Sequence, residues 1–135
     1  MNGWINLEED FANLCETYIK KVKDAAVEIA IDSLTTPFMN NGLAPVKTGN
    51  WLANNLGTVN TYTNAYNNIK DTTGTDTKDK LLSSYRSSKS VYDTFTIQNN
   101  TEYNSQVEYK GWAVREPYQP YFYTYQRITY KVATL

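Results

Sequence analysis

The sequence predicts an α+β domain: a long N-terminal amphipathic helix packed on a small antiparallel sheet, with short helices between. Three observations carry this. Apolar residues recur every third or fourth position from Leu7 to Ile29, the period of one helical face. Two later stretches, residues 58–63 and 91–97, are rich in β formers and alternate at period two. Pro, Gly and Asn-Asn turn signals separate these runs. At 135 residues, the chain is long enough for a real core and reads as one domain, residues 1–135.

Residues 6–33 read as the helix. Leu7, Phe11, Leu14, Cys15, Tyr18, Val22, Ala25, Ala26 and Ile29 form its apolar face, with Cys15 expected as a small buried hydrophobe. Glu8, Glu9, Asp10, Lys20, Lys21, Lys23, Asp24 and Glu28 largely occupy the other face. Asn6 suits the N-cap and Glu9 the third helical position, a capping-box arrangement. The early acids also suit the helix dipole. About 28 residues at ~1.5 Å each make a rod of roughly 42 Å. Such a rod either overhangs its own core, with one end on a neighbouring subunit, or lies along its own sheet.

Thr35-Thr36-Pro37 stops the helix, and Asn40-Asn41-Gly42 turns the loop that follows. The chain then pivots on the stretch from Ala44 to Asn55. Pro45 disfavours helix at Ala44, Thr48 is placed to cap a short helical turn, and Gly49 permits a tight bend. Trp51 and Leu52 follow as apolar anchors. Residues 58–63 are expected as the first strand. Residues 64–76 read as a polar loop, with 71–76 the clearest flexible segment. Asp76 is placed to cap a short helix over 77–87, with Leu81, Leu82 and Tyr85 on one face. Residues 91–97 are expected as the second strand. Asn99-Asn100 turns the chain, Thr101 caps a short helix over 101–109, and Gly111 ends it. The run 121–132 stays open. Its propensity points to strand, while Pro120 as a first helical residue, and Tyr121, Tyr125, Ile128 and Val132 at helical spacing, point to helix.

Composition narrows the function. The net charge is −1 without a basic block, which argues against a dedicated nucleic-acid binder. The chain has no apolar run of spanning length, and its first residues lack the pattern of a signal peptide. One Cys cannot form an internal disulfide, which fits a reducing compartment. With no His, triads, Cys–His dyads and most zinc sites are missing a member. The carboxylate pairs Glu8/Glu9, Asp76/Asp79 and Glu102/Glu108 remain; the first is better explained by the helix start and Asp76 by capping. No catalytic, cofactor or metal-binding residue is therefore assigned. Twelve Tyr, four Phe and three Trp suit half-buried packing or interfaces. Trp4 reads either as an exposed anchor or as a staple on the helix start.

Two segments together carry a resemblance. Pro45-Val46-Lys47-Thr48-Gly49-Asn50-Trp51-Leu52 stands after the long helix. Asn99-Asn100-Thr101-Glu102-Tyr103-Asn104-Ser105-Gln106-Val107-Glu108-Tyr109 follows a strand and leads to a Pro-containing C-terminal segment. In the order and spacing of its elements the chain resembles the tail-component, or neck, family of tailed bacteriophages. Lys47 stands where that family usually carries an acid, Asn50 where a basic residue is common, and Lys110 intervenes before Gly111. The resemblance implies a C-terminal helix for residues 120–132.

It also implies a structural virion protein rather than an enzyme. Such a protein forms a ring at the head–tail junction, in the neck or tail, and is assembled in the host cytoplasm. The implied partners are copies of itself, with a hexamer favoured over a dodecamer, and the adjacent neck or stopper, tail-tube or terminator proteins. DNA would pass through the lumen without specific binding, and neither cofactor nor membrane is implied. A ring contact joins two different faces of each subunit. The first helix and the Tyr-rich C-terminus are the candidate faces, with Trp4, Phe11, Tyr18, Trp51, Tyr118, Tyr121 and Tyr125 as candidate interface residues. The 64–76 loop is a candidate to order on docking to the next ring. Two alternatives are a tail terminator ring, and a small aromatic-rich carbohydrate-binding module, which would be a monomer with exposed stacking rings.

Overall fold

The computed structural model describes residues 3–135. Its elements are α1 (Leu7–Thr35), a 3₁₀ turn (Phe38–Asn40), α2 (Asn50–Ala53), β1 (Asn55–Val59), α3 (Thr75–Arg86), β2 (Phe95–Asn99), a π turn (Gln106–Lys110) and α4 (Pro120–Ala133). The fold is the expected α+β arrangement of a long first helix, a two-stranded antiparallel sheet, short helices and a C-terminal helix.

α1 starts where its capping box places it. Asn6 Oδ1 accepts from the Glu9 N–H at 3.1 Å, and Asn6 Nδ2 donates to Glu9 Oε2 at 3.5 Å. At the other end, Thr36 turns to extended backbone ahead of Pro37. Along α1 only Ile31, Ser33, Leu34 and Thr35 are buried. There the helix meets the core of Leu34, Ala44, Trp51, Leu52 and Val107, surrounded by Val46, Ile97, Tyr103, Tyr118 and Tyr121. Burying a Leu of this kind contributes about 2 kcal/mol. α3 and α4 both pack on α1. Tyr85 Oη on α3 donates to Asp24 at 2.5 Å, and Arg127 on α4 donates to Ser33 Oγ at 3.1 Å.

Both strands are displaced from their predicted positions. β1 starts at Asn55 and stops at Val59 because Asn60 takes a left-handed φ of 58°. The Asn60 side chain then turns the chain, accepting from the Thr94 N–H and donating to Asp93. β2 starts at Phe95, since the preceding residues are held in a turn by the Asp93 carboxylate, which accepts from the N–H groups of Lys89 and Ser90. The register sets Gly57 opposite Ile97 and Val59 opposite Phe95.

The segment expected to be flexible is fastened instead. Asp71 Oδ1 accepts from the N–H of Thr73 and Gly74, at 3.2 and 2.8 Å, and Oδ2 from the Thr77 N–H and hydroxyl, at 2.9 and 2.7 Å. Asp71, not Asp76, therefore supplies the cap of α3. Gly74 sits at φ 86°, where a Cβ would run into the Thr35 carbonyl. Glycine at this position lets the start of α3 abut the end of α1.

The short helix expected over 101–109 is present but starts late: residues 104 and 105 are α-helical and run directly into the π turn, which Gly111 ends by donating its N–H to Gln106 O at 2.8 Å. Residues 120–132 are helical, within α4. Gln119 at its N-cap has a left-handed φ of 53° and no capping side-chain bond. The buried Glu108 supplies that function from the π turn. Its carboxylate accepts from the N–H groups of Tyr121 and Phe122, at 3.2 and 2.8 Å. Glu108 thus caps α4 from a distance.

Candidate functional site

Two of the candidate interface rings turn inward: Trp51 is buried and the partly buried Tyr121 packs against it. Trp51 is 2% exposed; its indole N–H donates to Asn104 Oδ1 at 2.9 Å and its ring meets Tyr121 edge-on. The Tyr121 hydroxyl donates to Asn55 Oδ1 at 2.9 Å, and burial raises its pKa above the ordinary tyrosine value. The short α2 turns Trp51 inward, so both rings serve packing within one subunit.

Asparagines, which composition alone assigns to turns, build the scaffold around these rings. Asn50 Nδ2 donates to the carbonyls of Asn67 and Ile69, while Oδ1 accepts from the hydroxyls of Tyr66 and Tyr103. Asn54 holds Asn67 through the Asn67 N–H and carbonyl. Asn55 donates to Leu34 O at the end of α1, and accepts from Asn99 as well as Tyr121. Buried amides can satisfy three or four backbone and side-chain partners at once. The pivot stretch is thereby tied to α1, α4 and the following loop. These amides carry no periodic signal, and sequence reasoning missed them.

Of the remaining candidate rings, Trp4, Phe11 and Tyr18 lie at the N-terminal end of α1 and Tyr118 beyond its C-terminal end. At the N-terminal end, Trp4, Ile5, Leu7, Phe11, Leu14 and Tyr18 are each between 59% and 74% exposed. Leu7, Phe11, Leu14 and Tyr18 recur at helical spacing on one face of α1, and among the described residues nothing covers it. Cys15, expected in the core, is only partly buried beside this stripe. The body takes hold of α1 near Lys23, whose ammonium donates to the carbonyls of Val91 and Asp93. Beside this root lies a cleft of about 340 Å³ lined by Lys20, Lys23, Asp24, Tyr85, Arg86 and Lys89. Lys20 and the Tyr85 hydroxyl hold the Asp24 carboxyl below its usual range. The root sets Lys20, Lys23, Arg86 and Lys89 against the one carboxylate of Asp24, which pairs with Lys20 at 2.7 Å, so it is net cationic, whereas the tip carries Glu8, Glu9 and Asp10.

At the other end, Phe38, Trp112 and Tyr118 form an aromatic cluster with Arg115. The Phe38–Tyr118 and Trp112–Tyr118 centroids lie 5.3 and 6.0 Å apart, edge to face. The Arg115 guanidinium stacks over Tyr118 at 3.5 Å from the ring centroid, a cation–π arrangement. Met39 and Val114, in the flanking segments, are 94% and 96% exposed. Tyr118 is a predicted site residue in this cluster; Phe38, Met39, Trp112 and Arg115 were missed. Tyr125, also predicted, is exposed on α4.

No protein-family model, curated protein or solved structure matches this chain. Among the described residues no helix is long and apolar enough to cross a membrane, and no three His, Cys, Asp or Glu side chains group as metal ligands.

Proposed function

We propose that this chain is a structural virion protein of a tailed bacteriophage, a subunit of a ring at the head–tail junction. The observation that carries the reading is a pair of unlike apolar surfaces at opposite ends of one helix. From Phe11 to Thr35 α1 rises roughly 36 Å, and Phe38 follows just beyond. Contiguous apolar surface left bare on a subunit marks a contact site. Two unlike surfaces, far apart, suit a head-to-tail contact, and such contacts close into rings when the rotation permits. The resemblance of the pivot stretch and of residues 99–109 to neck proteins supplies the particle and the place. On this reading the partners are further copies, a hexamer favoured, and the stopper, tail-tube or terminator proteins above and below. DNA passes through the lumen without being read, in keeping with a chain of net charge −1.

Electron microscopy of the purified protein, alone and mixed with neck or tail components, tests this, together with antibody labelling of virions. Rings, or label at the head–tail junction, are expected. A protein that forms no ring with any component and never labels virions would overturn the reading. Label on the upper end of tails lacking heads would instead assign the tail terminator position.

A further inference from the structure

We infer that the projecting half of α1 pairs antiparallel with the same segment of a second copy, so that the free protein is a dimer with its apolar stripe covered. The inference stands apart from the ring reading, because it concerns the chain before it meets any partner.

The stripe is the first ground. Leu7, Phe11, Leu14 and Tyr18 are spaced by four, three and four residues, and each is more than half exposed. This is the seam spacing by which two helices interlock side chains. Trp4 and Ile5 extend it at the tip, both with at least 60% exposure. At roughly 100 Å² of exposed surface per side chain, these six present about 600 Å² per copy. Two copies would cover about 1,200 Å², the lower bound for a specific interface.

Charge decides the occupant and its direction. The tip carries Glu8, Glu9 and Asp10, and the root carries Lys21, with Arg86 and Lys89 in the adjoining cleft, where Lys20 is already paired with Asp24. Asp10 and Lys21 lie eleven residues apart, three turns, and so on the same edge of the stripe. A parallel pair would set acids against acids and lysines against lysines. An antiparallel pair sets the acidic tip of each copy toward the cationic root of the other, on the same edge, and brings the two seams face to face. A hydrophobic partner of unrelated sequence would have no reason to match this polarity, whereas a second copy matches it by construction. The contact is isologous and closes at two. Ring assembly would have to open it, exchanging one stripe contact for another.

Sedimentation equilibrium of the full chain, from about 1 to 100 μM at low and high salt, a range centred on micromolar affinities, tests the pairing. The expected result is a dimer that weakens as salt rises. Phe11→Glu should be monomeric over the whole range with unchanged circular dichroism, since Phe11 is 67% exposed. A variant with Glu8, Glu9 and Asp10 changed to Lys should dissociate at least tenfold more readily. A wild-type monomer at 100 μM, or a dimer that Phe11→Glu leaves intact, would overturn the inference. So would a monomer that co-sediments with anionic vesicles through the stripe, which would make the occupant a lipid surface. Rings that assemble from monomers without a dimer would refute the pairing and leave the ring reading standing; dimers that never join a particle would do the reverse.

Discussion

Replacing Asn55 by Ala should cut the tie between three elements. Asn55 is 2% exposed. Its Nδ2 donates to Leu34 O at 2.9 Å, at the end of α1, and its Oδ1 accepts from Tyr121 Oη at 2.9 Å and Asn99 Nδ2 at 3.1 Å. The substitution leaves all three partners one bond short. A buried polar group left unpaired costs about 1–3 kcal/mol. Asn99 loses least, because its Nδ2 also donates to Trp51 O at 2.8 Å. The expected loss is therefore about 4 kcal/mol, a large fraction of the ~5–15 kcal/mol that holds a domain together. Tyr121→Phe removes only one of the three bonds and should cost about 1 kcal/mol. Asn55→Asp keeps the shape but turns a carboxylate toward the Leu34 carbonyl. Burial would raise the pKa of that carboxyl, so this variant should regain stability as pH falls through the raised value. Urea unfolding followed by near-UV and far-UV circular dichroism measures all three. An Asn55→Ala protein within 1 kcal/mol of wild type at unchanged m would refute the reasoning, as would a Tyr121→Phe protein equally destabilised.

Three further outcomes are expected. Burial alone would raise the Asp71 pKa, but hydrogen bonds from Thr77, Gly74 and Thr73 outweigh it and hold it below the usual range. Asp71 should then stabilise the fold above its unfolded pKa of about 4. That contribution should vanish as pH falls through the folded value, so the stability curves of wild type and Asp71→Asn should converge in acid; parallel curves would show that the carboxylate is not the cap. Glu108→Ala should release the Tyr121 and Phe122 amides, cost about 2 kcal/mol, and speed hydrogen exchange at the start of α4 before elsewhere. Burial raises the pKa of Tyr85, Tyr103 and Tyr121, helped at Tyr85 by Asp24. Stability from these phenols should be intact below pH ~10 and lost as pH rises through the folded values, so their ultraviolet ionisation should appear only together with alkaline unfolding.

α1 was legible because its evidence is redundant: period, cap, early acids and a proline stop agree, and Asn6 and Glu9 bond as the capping box requires. The strands were placed less well because their ends depend on asparagine conformation and on one carboxylate. Propensity continues through residues 60–63, but the left-handed Asn60 ends β1. Asp71 looked like part of a polar, mobile run because its partners are mostly backbone amides, which have no signature in side-chain composition. The same holds for Glu108 and α4, whose cap comes from a residue distant in sequence. Of the candidate site, the length and period of α1 allowed an overhanging tip without deciding between that and a helix lying along its own sheet. The inward turn of Trp51 and the cluster around Arg115 depend on tertiary approach. Sequence alone ranked Trp51 with Phe11 because both are large, apolar and near a turn or helix face; only burial separates them.

The grip of the body on α1 near Lys23 has a mechanical consequence. The helix from Leu7 to that root is a cantilever of roughly 24 Å, stiff along its length and held at one end. A rotation of 10° at the root would carry its tip about 4 Å sideways, at the cost of the gentle bending that long helices tolerate. A hexamer turns each subunit by 60° relative to its neighbour and a dodecamer by 30°, as the geometry of closed rings demands. On the ring reading proposed above, such an arm would let one sequence meet neighbours across a range of curvatures without repacking its core. The rigid asparagine-tied body would fix the shape of each subunit, and the arm would absorb the mismatch between one ring and the next.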